Sequence, residues 1–402
     1  MVSLKEAFYK TINSINPIKT TKNIFINESL NYVLAQDIYS KRPSPIYSNS
    51  AMDGYGFKFD NQKELKIKDT ILAGDVKEIN LKKNECVKIM TGAKIPSSID
   101  TVIPFENCKL HNNSIYIEKE VKKGANIRIK GEEFNENSLL VKKGSLITPE
   151  IISILVSQGI TNIKVFKKIN IAILSTGNEL KEPYEYANDN EIYNVNSYAI
   201  QSLLKMYNFN SDIIGIKKDN IQNLKEEIKN LKNEYEVIIL SGGISYGDAD
   251  FVYSALKENE LKEFFRGINL KPGKPTMVGK LENSYIFALP GNPISAYTNT
   301  LFLVLPALMK LQGSNSYYHN FVYAKNTTKF KFNPKKDHIA LGKLEFDKWE
   351  VFQNYKYSSY MLSALINSNS YIIIEKDNPK LDVVKVIPFL NTFTNKDKLF
   401  KD

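Results

Sequence analysis

EVIILSGGISYGDAD, residues 236–250, runs from an apolar stretch into a serine and two glycines and then turns acidic. A short apolar run bounded by glycine reads as a buried strand, and a glycine-rich turn after it reads as the way into a helix. The same pattern recurs on both sides. IAILS (171–175) is followed by Thr176-Gly177-Asn178-Glu179-Leu180, and DIIGI (212–216) by Lys217-Lys218-Asp219. Helical periodicity over 196–208, 220–233 and 248–259 separates or follows these strands. Two further strands (276–280, 284–289) lead through Pro290-Gly291-Asn292-Pro293 into an apolar helix over 294–311. Strands alternating with helices predict a parallel α/β domain with right-handed crossovers, spanning 169–315.

The flanks have a different texture. Residues 3–15 form an amphipathic helix opened by a capping box, Ser3 with Glu6. The stretch 42–56, RPSPIYSNSAMDGYG, carries two prolines, two glycines and a Ser/Asn cluster, so a shaped loop is expected. Short β-like runs follow at 70–72, 85–90, 101–105, 114–117 and 126–129. Thr148 caps a helix with Pro149 at its first position, and Gly159 closes it. Past Gly313 the pattern returns to short strands through Leu390, with a helical turn at 360–366. The reading is a multidomain α/β protein. It has an N-terminal linker/helical domain (1–45 plus 146–168), a β-rich module (46–145), the α/β domain, and a C-terminal β-barrel-like domain (316–402).

Composition narrows the class. Of 402 residues 43% are hydrophobic and 24% charged, which describes a globular protein rather than a disordered one. The longest apolar run, 301–309, contains Pro306 and falls short of the ~20 residues a membrane helix needs. Only two cysteines (Cys86, Cys108) and three histidines (His111, His319, His338) are present, with no CxxC pair, so a zinc site is not expected and a reducing cytoplasm is. The net charge of +10 comes from lysines scattered along the chain without a nucleic-acid motif. It suits a small anionic substrate better than nucleic acid or a membrane.

In an open α/β sheet, ligands bind beyond the carboxyl ends of the strands. That edge here gathers Thr176, Gly177, Glu179, Asp219, Ser241, Gly242, Gly243, Ser245, Asp250 and the Pro290-Gly291-Asn292-Pro293 turn. Glycines let backbone N–H groups reach phosphate oxygens, and helix N-termini add positive potential. Lys271 and Lys274 in KPGKP supply point charges. Glu179, Asp219 and Asp250 offer hard oxygen ligands for Mg²⁺. Ser245 also completes a G-x-S-x-G between strand and helix, which raises a serine hydrolase with His319 or His338 downstream. Both histidines fall in or beside the C-terminal β region, away from this sheet's loops. The sequence has no P-loop, because Gly273-Lys274 runs into proline.

Taken together, SNSAMDGYGF (48–57), IMTGAKIP (89–96), DTVIPFE (100–106), RIKGEEF (128–134), STGNEL (175–180), SGGISYGDAD (241–250), LKPGKP (270–275) and ALPGNPISA (288–296) resemble the MoeA family, relatives of the gephyrin E domain and the plant Cnx E domain. The resemblance implies a MogA-like central domain and a homodimer. It implies a molybdopterin molybdenumtransferase that takes adenylylated molybdopterin and molybdate as substrates, with Mg²⁺-dependent release of AMP. By family pattern Asp53, Thr91, Glu179, Asp219, Asp250 and Lys271 are catalytic. Asp53 and Thr91 would line the cleft from the β-rich module of the second subunit. Contact with a MogA-type adenylyltransferase and with molybdoenzyme maturation factors is a further expectation. The chain departs from the family's Gly-Glu-Asp at Gly131-Glu132-Glu133. An adenylyltransferase of the same pathway and a non-catalytic gephyrin-like scaffold are the competing readings.

Overall fold

The computed structural model describes residues 1–244, 250–377, 379, 381–390, 393–394, 396–397 and 399–400. The chain divides into two compact units, one made of Met1–Gln36, Lys143–Ile152 and Thr161–Asp402, the other of Asp37–Lys142 and Ser153–Ile160.

The larger unit contains the α/β sheet. Its strand order is Asp212–Lys217, Ile171–Thr176, Val237–Ser241, Ser284–Leu289, Met277–Leu281, Lys262–Arg266. The first four run parallel, and Met277–Leu281 pairs antiparallel with both Ser284–Leu289 and Lys262–Arg266, so the sheet is mixed rather than parallel throughout. The cause is covalent. Only Glu282 and Asn283 join Met277–Leu281 to Ser284–Leu289, and a link that short makes a hairpin, since a parallel return needs a crossover of a dozen residues. Val237, Ile238, Ile239 and Leu240 are wholly buried, as expected for a central strand covered on both faces. The intervening helices are Val195–Met206, Ile221–Glu234 and Phe251–Glu258, opened by Asn194, Asn220 and Asp250.

The helix beginning at Pro293 continues to Leu311. It is long and apolar enough to match a membrane span, but 89% of that stretch is buried inside the unit, the place of a core helix. A π-type turn, Thr300–Val304, interrupts it. Pro306 lacks the N–H that would bond the Phe302 carbonyl. The ring of His319 takes that place, its Nε2 lying 2.9 Å from the Phe302 oxygen.

The C-terminal region closes a barrel. Asp337–Glu345 pairs with both Lys348–Val351 and Ser370–Ile374, while Val322–Asn326 and Val383–Pro388 complete the ring around buried Trp349. The opening helix Leu4–Ser14 carries the expected capping box. Its Leu4, Phe8 and Ile12 share one core with Ile171 and Ile173 of the sheet and Ile339 and Leu341 of the barrel.

The smaller unit is a six-stranded sheet ordered Thr101–Pro104, Gly54–Phe57, Glu85–Ile89, Glu64–Ile71, Ser114–Ile117, Cys108–His111. Gly54–Phe57 corrects the reading of 42–56 as loop throughout, because it is a wholly buried strand between two partners. Its glycines permit this. A Cβ on Gly54 would stand 2.1 Å from the Ile103 carbonyl oxygen. Tyr55 and Phe57 fill one face of the sheet, and Val87 and Ile89 belong to a separate core cluster.

Candidate functional site

The carboxyl ends of Ile171–Thr176 and Val237–Ser241 lie side by side in register and open into a cavity of about 1060 Å³ within the larger unit. Asp212–Lys217 lies on one side of Ile171–Thr176 and Val237–Ser241 on the other, so this is the switch point where such sheets receive ligands. The turn after Val237–Ser241 presses against the neighbouring strand end. Gly242 has φ +90° and Gly243 φ +61°, and a Cβ on either would fall 2.4 Å from the Thr176 carbonyl or 2.2 Å from its Oγ1. Asn196, in the first turn of its helix, donates from Nδ2 to Ser241 Oγ (2.8 Å) and to the Gly291 carbonyl (2.7 Å), tying three loops together. Asn292 stands at the N-cap of the helix beginning with Pro293 and makes no side-chain capping bond. Two helix N-termini thus border the cavity, a setting that favours anionic oxygens.

The charges are sorted by origin. Glu179 and Asp219 line the cavity from the loops after the first two strands. A Cβ on Gly177 would sit 2.7 Å from the Glu179 carboxylate, so only glycine lets that side chain fold back over its own turn. One Asp219 carboxylate oxygen is buried with no hydrogen-bond partner among the described residues. Burial, reinforced by the Glu179 charge, pushes the Asp219 carboxyl above its ordinary range. A hard cation held there would relieve both, and oxygen donors of this kind suit Mg²⁺. The cationic groups arrive by another route. Leu270–Lys271 is a short strand added in parallel to the barrel, with Lys271 opposite His338. Lys271, Lys274 and Lys336 all line the cavity, with Tyr355, Tyr357 and Ser358 from the barrel.

Thr176, Gly177, Glu179, Asp219, Ser241, Gly242, Gly243, Lys271, Lys274, Pro290, Gly291, Asn292 and Pro293 are therefore brought to one cavity. Ser245 lies outside the described residues. Asp250 departs from the expected three-carboxylate set, since it does not line the cavity. Its carboxylate accepts the Tyr253 N–H at 3.0 Å, capping Phe251–Glu258, and pairs with Arg266 Nη2 at 2.6 Å. A residue at an N-cap serves its own helix first. Among the described residues no three acidic, histidine or cysteine side chains converge as a metal site. Asp53 and Thr91 lie in the smaller unit and bind each other, with Asp53 Oδ1 accepting the Thr91 N–H at 2.7 Å and its hydroxyl at 2.8 Å. Those two donors hold the Asp53 carboxyl below its usual range, the N–H being the stronger.

The hydrolase reading loses its bases. His319 is completely buried, stacked on Phe302 and pushed down to about 4 by burial. His338 has both ring nitrogens engaged, at 2.7 Å from the Tyr355 hydroxyl and 2.8 Å from the Asn333 carbonyl. Lys336 and the tyrosines are what the sequence reading missed. The signal for the tyrosines was YKYSSY (355–360), a run of aromatic and hydroxyl side chains in a region read as short strands leading to a helical turn at 360–366.

The chain also matches known proteins along its length. Residues 2–159 match the MoeA N-terminal region (domain I and II), 172–310 a probable molybdopterin binding domain, and 323–390 the MoeA C-terminal region (domain IV). The molybdopterin molybdenumtransferase of Haemophilus influenzae is 30% identical over 406 residues, covering 97% of this chain and 99% of that one. That of Staphylococcus epidermidis is 32% identical over 342 residues, 83% of this chain and 81% of its own. The crystal structure of the molybdopterin biosynthesis MoeA protein from Pyrococcus horikoshii OT3 superposes with a TM-score of 0.83 at 25% identity, covering 96% of this chain and all of that one. With the three MoeA regions matched in order along the chain and a relative 30% identical over nearly its whole length, the protein belongs to the MoeA family of molybdopterin molybdenumtransferases.

Proposed function

We propose that the protein inserts molybdenum from molybdate into adenylylated molybdopterin and releases AMP in a Mg²⁺-dependent reaction. The observation that carries this reading is one cavity bearing two kinds of charge. The Glu179–Asp219 pair comes from the α/β loops, and Lys271, Lys274 and Lys336 come from the barrel and its added strand. A substrate with phosphates and an oxyanion needs both. The N-terminus at Asn292–Pro293 and the glycine turns receive phosphate oxygens through backbone N–H groups. The lysines hold molybdate as point charges. Glu179 and Asp219 would hold Mg²⁺, which when bound offsets the charge on the phosphoanhydride. The reading includes a cytoplasmic homodimer in which Asp53 and Thr91 act on the substrate held by a second copy. It also includes contact with a MogA-type adenylyltransferase that supplies the adenylate and with maturation factors that take the product.

The test is AMP release from adenylylated molybdopterin by the purified full-length protein with Mg²⁺. Release should require molybdate and yield cofactor that reactivates an apo-molybdoenzyme. Adenylylation of free molybdopterin from ATP would replace this reading with the adenylyltransferase, and silence in both assays would leave the scaffold.

A further inference from the structure

His338 does more than fill the barrel wall. The residue is completely buried, and its two ring nitrogens meet the hydroxyl of Tyr355, which lines the cavity, and the carbonyl of Asn333, three residues before the cavity-lining Lys336. Nε2 lies 2.8 Å from the carbonyl oxygen of Asn333. The same oxygen accepts the Lys336 N–H at 3.3 Å, so it closes the turn that presents Lys336. Nδ1 lies 2.7 Å from the hydroxyl of Tyr355, and that hydroxyl stands 3.4 Å from the Lys271 carbonyl oxygen. Lys271 is also the register partner of His338. One imidazole therefore joins the turn of Lys336 to Tyr355, with Lys271 brought beside them by backbone pairing, and all three residues line the cavity.

The chemistry of the partners dictates the tautomer. A carbonyl can only accept, so Nε2 carries the proton, and a neutral ring then leaves Nδ1 to accept from Tyr355. The segment it holds is bent into an unfavourable backbone. Gln353, Asn354 and Tyr355 have φ of +46°, +51° and +64°, a left-handed run of non-glycine residues that needs anchoring from outside. A second anchor lies two residues on, where the Leu341 N–H donates to Tyr357 Oη at 2.7 Å. The groups that face His338 are Lys271, Lys336, Asp337 and Tyr355, and burial with the two lysines keeps the ring below its ordinary value and neutral.

We infer that His338 is a positioning residue for the cationic side of the cavity, holding Lys336 and Tyr355 in place as a neutral Nε2–H imidazole beside the backbone-paired Lys271. The inference rests on the proposed oxyanion role of those lysines, and its test separates the two. In ¹⁵N-detected histidine spectra of the full-length protein, one of only three histidines should show a protonated Nε2 and a lone pair on Nδ1 that His338→Gln removes; Nδ1–H at that site overturns the inference whatever the protein does. Molybdate titration by calorimetry gives the second arm. His338→Phe should weaken binding by about tenfold or more, the usual scale for losing a supporting hydrogen bond behind a ligand. His338→Gln keeps one donor and one acceptor and should recover most of that loss. Tyr355→Phe, which removes only the hydroxyl, should weaken molybdate binding in the same direction. Wild-type affinity in His338→Phe and Tyr355→Phe, with folding verified by circular dichroism, overturns the inference. A wild-type protein that ignores molybdate overturns the oxyanion reading instead, and the tautomer result still decides His338.

Discussion

The two sides of the cavity are built by different kinds of folding. The acidic side is local. Glu179 lies between Ile171–Thr176 and the short strand Leu180–Lys181, and Asp219 between Asp212–Lys217 and the helix Ile221–Glu234, so both are near in sequence to the elements that place them. The cationic side is assembled at long range. Lys271 takes its place by pairing with His338, and Tyr355 by reaching back to both. Side chains held by local turns depend on glycine and on caps. Side chains held by distant pairing depend on the whole barrel being closed. The two sides nevertheless share one core, since Ile171 and Leu289 of the sheet belong to the same buried cluster as Leu341 and Ile387 of the barrel.

The change expected to break the local side most severely is Gly243→Ala. The new Cβ would meet Thr176 Oγ1 at 2.2 Å and Val252 Cγ2 at 2.8 Å, at a positive φ that L side chains avoid. Strain and overpacking together should cost about 3 kcal/mol. Trp349 is the only tryptophan and sits in the barrel core, so its fluorescence follows the distant side while far-UV circular dichroism follows the whole chain. If the common core couples the two sides, both probes shift to lower urea together. A Trp349 transition left at its wild-type midpoint would show the barrel folding independently of the sheet.

Asp219→Asn sharpens the contrast with less damage to the fold. It keeps the shape and removes one anionic ligand, and AMP release should fall about 100-fold at saturating substrate. The pH dependence has a definite sign. The folded carboxyl is raised, so the folded state holds its proton more tightly than the unfolded chain. Without Mg²⁺ the wild type should therefore gain stability as pH falls through that raised pKa and lose it above. With Mg²⁺ the trend reverses, because the proton competes with the cation and binding weakens as the carboxyl protonates. Thermal midpoints across the acid range, with and without Mg²⁺, should diverge upward with pH in the wild type and run parallel in Asp219→Asn. Parallel curves in the wild type would remove Asp219 from the cation site.

This difference in construction also explains what could be read in advance. Three of the parallel strands were legible because central strands must be apolar throughout, the edge strand Asp212–Lys217 because its middle is still IIGI, and the glycine turns because no other residue allows such contacts. Antiparallel Met277–Leu281 was legible in principle, since a two-residue link permits nothing else. Lys262–Arg266 was not, because an edge strand need not be apolar and KEFFR carries charges at both ends. Asp250 is ambiguous in sequence because an acidic residue before a helix suits a cation ligand and an N-cap equally, and the pairing with Arg266 is visible only in the fold. Gly54–Phe57 misled, its glycines marking close packing of strands rather than a turn. Lys336 and Tyr355 reach the cavity through long-range pairings, the Tyr355–Lys271 contact spanning 84 residues of chain, which no local pattern encodes.

Asp53 is the natural counterpart to Asp219, and the change proposed there is the mildest. Both carboxylates were expected to serve the same chemistry, but their surroundings move them in opposite directions. Asp219 has an orphaned oxygen and a like charge nearby, while Asp53 is exposed and already accepts two hydrogen bonds from Thr91. Thr91→Val removes the hydroxyl and leaves the backbone N–H, which is the larger of the two causes. The Asp53 carboxyl should then rise only part of the way to its ordinary value, measured by ¹³C-carboxyl titration, with the thermal midpoint nearly unchanged at neutral pH. A depressed carboxyl contributes stability that is lost as pH falls through its folded pKa, so any difference between Thr91→Val and wild type should appear only in acid and be small for so exposed a group. A full return to the ordinary value would mean that the hydroxyl, not the turn, holds Asp53 ionised. Asp53 would then owe its charge to a single replaceable side chain, whereas the state of Asp219 is set by burial and by Glu179 and could not be altered by changing one donor.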